Sequence, residues 1–81
     1  MTLRKPRLGP ERRGALGILD DAPRGLTESI LLAHRVAAEV IASLVRDGLA
    51  ARRPENTREG VRTVEVIRVK ITDAGRRALE D

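Results

Sequence analysis

Leu44-Val45-Arg46-Asp47-Gly48-Leu49-Ala50-Ala51-Arg52-Arg53-Pro54, matched downstream by Val69-Lys70-Ile71-Thr72-Asp73-Ala74-Gly75-Arg76-Arg77-Ala78-Leu79, is the part of the chain from which the fold is read. Gly48 ends a periodic apolar run whose last residue is Val45, with Arg46 in the last turn, the chemistry of a helix C-terminus that reverses through a left-handed residue. Leu49 then plugs the core. Leu49 to Arg53 reads as a short first strand closed by Pro54, and residues 54–60 (Pro, Glu, Asn, Thr, Arg, Glu, Gly) are turn chemistry. Val61 to Ile71 is rich in β-branched residues, with Ile67, Val69 and Ile71 alternating against Arg68 and Lys70 as in a half-buried strand. Val64 and Val66 have the opposite parity, which predicts a bulge or a doubly covered stretch near Val66 and Ile67. Thr72 is positioned to cap a last helix from Asp73 to about Glu80, with Asp73 at its electropositive start.

Working upstream, Thr27 has N-cap chemistry and Glu28 supplies a carboxylate to the first turn. From Ile30 to Val45 the apolar positions keep a helical period, compatible with one long helix or with two shorter ones broken near His34, Arg35 and Val36. Ala37, Val40, Ile41, Leu44 and Val45 share one face, and Glu39, Ala42, Ser43 and Arg46 the other. Ala15, Leu16 and Leu19 predict a first helix over 11–20, in which Gly14 and Gly17 weaken helicity by about 1 kcal/mol each or permit close approach of a neighbouring helix. Residues 20–25 form a turn, and residues 1–10, with two prolines and no apolar period, read as a flexible basic arm before a single domain over 11–81. The expected class is α+β, with helices near 11–20, 27–34 and 37–47, strands near 49–53 and 63–71, and a helix from 73. The expected core is Leu16, Leu19, Ile30, Val36, Val40, Ile41, Leu44, Leu49, Ile67, Val69, Ile71 and Leu79.

Composition narrows the function. Eighty-one residues support one small core, and the chain has no Cys and a single His, so neither disulfides nor a Cys-based metal site is expected and a cytoplasmic setting suits it. No apolar run approaches the roughly 20 residues that span a bilayer, so no membrane partner is expected. Phe, Trp and Tyr are absent, which argues against gripping single-stranded nucleic acid by base stacking. The net charge is +4. Residues 1–13 hold five basic groups against one acid, residues 14–45 two against four, and residues 46–62 five against three, so positive charge gathers on the arm and on the stretch from Arg46 to Arg62.

The helix ending at Leu44, the Gly48-Leu49 entry to a strand pair, and the strand leading to Thr72-Asp73-Ala74-Gly75-Arg76 resemble the wing region of MarR-type winged-helix regulators over about the last 38 residues. The stretch from Leu26 to Leu44 is about one helical turn shorter than the helix-turn-helix of that family. The same layout, with Leu31-Leu32-Ala33-His34, is also similar to a group of short, uncharacterised bacterial proteins, a likeness that implies no activity. The MarR resemblance implies a small winged helix-turn-helix domain of three helices, a two- or three-stranded wing and a C-terminal helix. It further implies a DNA-binding, transcription-regulator-like role with the second helix of the helix-turn-helix in the major groove.

On that reading Arg46 and Ser43 are the candidate base readers, while Glu39 repels phosphates. Arg52, Arg53, Arg58 and Arg62 offer phosphate contacts on or beside the wing, and Arg4, Lys5 and Arg7 an arm that follows a minor groove. The alternative is a protein-interaction module on the same scaffold, its helix face, hairpin and arm merely solvated or turned to a protein partner. Monomer and homodimer both remain open. His34 stands alone near a turn and suits a structural role, and Asp20 and Asp21 read as turn solvation. With no arrangement of nucleophile, base and oriented partner and no phosphate-binding glycine loop, the sequence predicts neither an enzyme nor a cofactor.

Overall fold

The computed structural model describes residues 8–80. Its elements run α1 (Gly9–Asp20), β1 (Leu26–Thr27), α2 (Glu28–Ala33), α3 (Ala38–Arg46), β2 (Ala50–Glu59), β3 (Arg62–Ile71) and α4 (Asp73–Glu80), an α+β unit. The three strands form one antiparallel sheet in the order β1-β3-β2. Among the described residues, no helix is long and apolar enough to cross a membrane.

The break between α2 and α3 is made by the backbone. His34 ends α2, Arg35 takes a left-handed conformation with φ 66°, and the amides of Arg35 and Val36 return to the carbonyls of Leu32 and Leu31, each at 3.0 Å. This is the hydrogen-bond pattern of a glycine-capped helix end, built here on an arginine. Leu31 and Val36, which flank the motif, are both buried. At the other end of α2, Thr27 Oγ1 accepts the amide of Ile30 at 3.3 Å, the cap expected from the sequence.

α3 closes in the same way. Gly48, with φ 75°, donates its amide to the Val45 carbonyl at 3.1 Å, and Leu49 donates to Leu44 at 2.8 Å. β2 starts at once and runs ten residues, so the expected end at Pro54 is corrected. Pro54 sits opposite Ile67 within a continuous ladder. β2 is an edge strand in the order β1-β3-β2, where a residue lacking an amide hydrogen is tolerated. The turn chemistry assigned to residues 54–60 narrows to Gly60-Val61, since Glu59 and Arg62 are already paired. Gly60 has φ 63° and Val61 is fully exposed. Of the two expectations near Val66 and Ile67, the bulge is absent, while Val64 and Val66 on one face and Ile67 on the other are all half-buried. Pairing from Ala50↔Ile71 to Glu59↔Arg62 is regular, and Val64 and Val66 lie on the face opposite Ile67, beside Thr57 and Glu55.

Cross-strand partners share a face, so Ala50, Arg52 and Ile67, Val69, Ile71 form the inner face and Ala51, Arg53 and Arg68, Lys70 the outer one. The helices pack on the inner face. Leu8, Ala15, Leu16, Leu19, Leu31, Val36, Ile41, Leu44, Ala50, Val69 and Ile71 are buried, with Val40, Leu49 and Leu79 packed against them. Ile30, expected in the core, is 43% exposed and Leu31 is buried in its place. A six-residue helix has under two turns to fix its apolar face, and here that face turns inward at Leu31. Among the described residues, Gly14 and Gly17 border no neighbouring helix, because a Cβ at either would meet nothing within 4 Å.

The exchange of Ile30 for Leu31 gives a stability test. Leu31→Ala is expected to cost about 2–5 kcal/mol and Ile30→Ala under about 1 kcal/mol, compared by urea unfolding followed by far-UV circular dichroism.

Candidate nucleic-acid interface

α3 carries its apolar side inward through Ile41 and Leu44 and leaves Glu39, Ala42 and Arg46 exposed. The Arg46 side chain is 75% exposed, its Nε 3.8 Å from the Asp47 carboxylate. That carboxylate is already engaged by Arg12 Nη2 of α1 at 2.6 Å, which ties α1 to the end of α3 and leaves Arg46 weakly held. Ser43 is different. Its hydroxyl is part-buried and donates to the Val40 carbonyl one turn back at 2.9 Å, so its lone pairs, not its proton, face outward.

The hairpin separates the arginines that the sequence groups together. Arg52 lies on the inner face and its Nε meets Glu28 of α2 at 3.1 Å. Arg53 projects from the outer face, opposite Arg68. Arg58 falls on the inner face opposite Thr63, and Arg62 on the outer face opposite Glu59 at the tip. Both Arg58 and Arg62 are exposed, with no ion-pair partner among the described residues. Residues 55–66 of the hairpin pair only with each other, since β1 reaches no further along β3 than Val69 and Arg68. The hairpin is therefore an arm beyond the helical body. Arg4, Lys5 and Arg7 lie outside the described residues.

Basic residues outside the sequence-derived set include Arg24 in the turn before β1, and Arg68 and Lys70 on β3. Parity within the strand assigns Arg68 and Lys70 to one face, but that they stand beside Arg53 follows only from the register, which the two-residue turn at Gly60-Val61 sets. His34 is exposed at the end of α2, so its side chain is not part of the core, and its backbone amide donates to the carbonyls of Ile30 and Leu31. Asp20 ends α1 and its carboxylate meets Arg76 Nε of α4 at 3.6 Å, a link between the two terminal helices. No protein-family model matches the chain, and no match exists among curated proteins or solved structures.

The Arg52–Glu28 pair is half-exposed and contributes little stability, because exposed ion pairs are worth about 0–1 kcal/mol. Glu28→Gln is accordingly expected to shift the urea midpoint by less than the equivalent of about 1 kcal/mol while freeing the Arg52 guanidinium. A loss above about 2 kcal/mol would mean that the pair holds α2 in place.

Proposed function

We propose that the chain is a winged helix-turn-helix module that binds duplex DNA in the manner of a transcription regulator, with α3 as the reading helix and the β2–β3 hairpin as the wing. The observation that carries this reading is the element order α1-β1-α2-α3-β2-β3 with sheet order β1-β3-β2, which combines a short helix pair with an arginine-bearing hairpin standing clear of the core. The turn at His34 and Arg35 supplies the helix break that a helix-turn-helix needs. Arg46 is the base-reading side chain, because it is exposed and only weakly paired, and arginine matches the two acceptors of guanine. Arg52, Arg58 and Arg62 meet phosphates along the wing, and the arm residues Arg4, Lys5 and Arg7 extend the contact. Ser43 is at most an acceptor for a base amino group. A cytoplasmic setting accords with the absence of Cys.

A protein-interaction role is the second reading, favoured by Ile30 and Leu32, which leave α2 with two exposed aliphatic side chains at 43% and 50%. Salt and amide shifts separate the two. With DNA as partner, log affinity falls against log salt with a slope of roughly −3 to −5 for three to five phosphate contacts. Arg58→Ala is expected to reduce that slope by about one for every sequence, whereas Arg46→Ala also relaxes preference at one base position. Amide shifts confined to residues 1–13 would contradict the reading, and shifts gathered on α2 without DNA dependence would favour the second.

A further inference from the structure

At the base of the hairpin, the outer face of the sheet carries a positive cluster separate from Arg46, Arg52, Arg58 and Arg62. All helices pack on the inner face, where Ala50, Val69 and Ile71 are buried, so nothing in the described chain covers Ala51, Arg53, Arg68 and Lys70. These residues, with Arg24 and Glu55, line an open groove of about 430 Å³. Arg24 reaches it because Gly25, with φ 85°, lets the turn lie flat on β3. A Cβ at Gly25 would stand 2.6 Å from the Val69 carbonyl and 3.3 Å from the Lys70 Cβ. Any larger residue there would lift the turn and its arginine off the strand.

The cluster holds more charge than it neutralises. Arg53 and Arg68 are direct cross-strand partners, an arrangement of like charges that destabilises a strand pair. Arg68 is engaged, with its Nε on the Glu55 carboxylate and its Nη1 donating to the Gly25 carbonyl at 3.3 Å. Arg24, Arg53 and Lys70 have no carboxylate partner among the described residues. Along this groove four cations thus stand against one anion, and nothing among the described residues covers them.

We infer that this outer face is a second phosphate-backbone surface, on the opposite side of the sheet from α3, and that it binds the sugar–phosphate chain of duplex DNA without reading its sequence. Guanidinium groups match phosphate oxygens in pairs, and the absence of aromatic residues removes base stacking as an alternative, so the backbone is the part of the nucleic acid this surface fits. Glu55 orients Arg68 and leaves its remaining donors to the groove. The choice of DNA as the polyanion rests on the proposed function, but the face and its residues do not.

The test is an amide-shift titration of the full chain with a short mixed-sequence duplex, alongside Arg53→Glu/Lys70→Glu and the conservative Arg53→Lys. The expected result is a set of shifts at residues 24, 25, 53, 68 and 70, abolished in the charge-reversed variant while those of α3 persist, with the salt slope reduced by about two. Arg53→Lys should retain the shifts. Both reversed positions are exposed, and Glu at 53 faces Arg68, so the urea midpoint of the variant is expected to hold or rise. Silence of the outer-face amides while α3 responds would overturn the inference and leave the proposed function standing. Outer-face shifts with α3 silent would do the reverse. Equal shifts with poly-glutamate at matched charge would also overturn it, by assigning the face to an acidic protein segment.

Discussion

Four elements meet at one corner of the molecule, and the rest of the structure depends on its hydrogen bonds. The Leu49 amide donates to Leu44 to end α3, and the Leu49 carbonyl accepts the Thr72 amide at 3.1 Å where β3 gives way to α4. The Thr72 hydroxyl donates to the Gly48 carbonyl at 2.6 Å and accepts the Gly75 amide at 3.1 Å. One side chain therefore caps α4 and fastens it to the C-terminal turn of α3. Gly75 completes the contact, since a Cβ there would fall inside the contact distance of the Leu49 carbonyl oxygen and 2.8 Å from Ile71 Cγ1. The pose of α3 against the hairpin, and hence any surface that uses both, is set at this corner.

That dependence explains which parts of the fold were legible in the sequence. Caps are local chemistry, so Thr27, Gly48 and Thr72 were read correctly from their own neighbourhoods. The α2–α3 break is not fixed by the sequence pattern because its left-handed residue is Arg35, where composition gives no signal of the kind Gly48 gives. The length of β2 is hidden from the sequence for another reason. Beyond Pro54 the strand has no core to face, so it shows no apolar alternation, and a polar hairpin arm looks like a loop. β1, two residues long, is too short to carry a period.

The candidate site was legible in its residue types and not in its arrangement. Arg46 emerged as an exposed end-of-helix cation, as its position in the apolar pattern implied. Arg52 and Arg53 are neighbours in sequence, yet a strand sends them to opposite faces, and one is tied to α2 while the other joins Arg24 and Lys70. Charge in this chain is thus organised by sheet parity. A positive total of +4 says little beside the fact that the outer-face groove gathers four cations around one carboxylate.

The corner is tested most directly by the sign of one substitution. Gly75 lies inside α4, where replacing glycine with alanine ordinarily stabilises an exposed helix by about 1 kcal/mol. Packing against Leu49 reverses that sign, so Gly75→Ala is expected to lower the urea midpoint by the equivalent of about 2 kcal/mol or more and to disturb amides at residues 48, 49 and 72 together. A raised midpoint, with those amides unmoved, would contradict the claim that this corner holds α3, the hairpin and α4 in register.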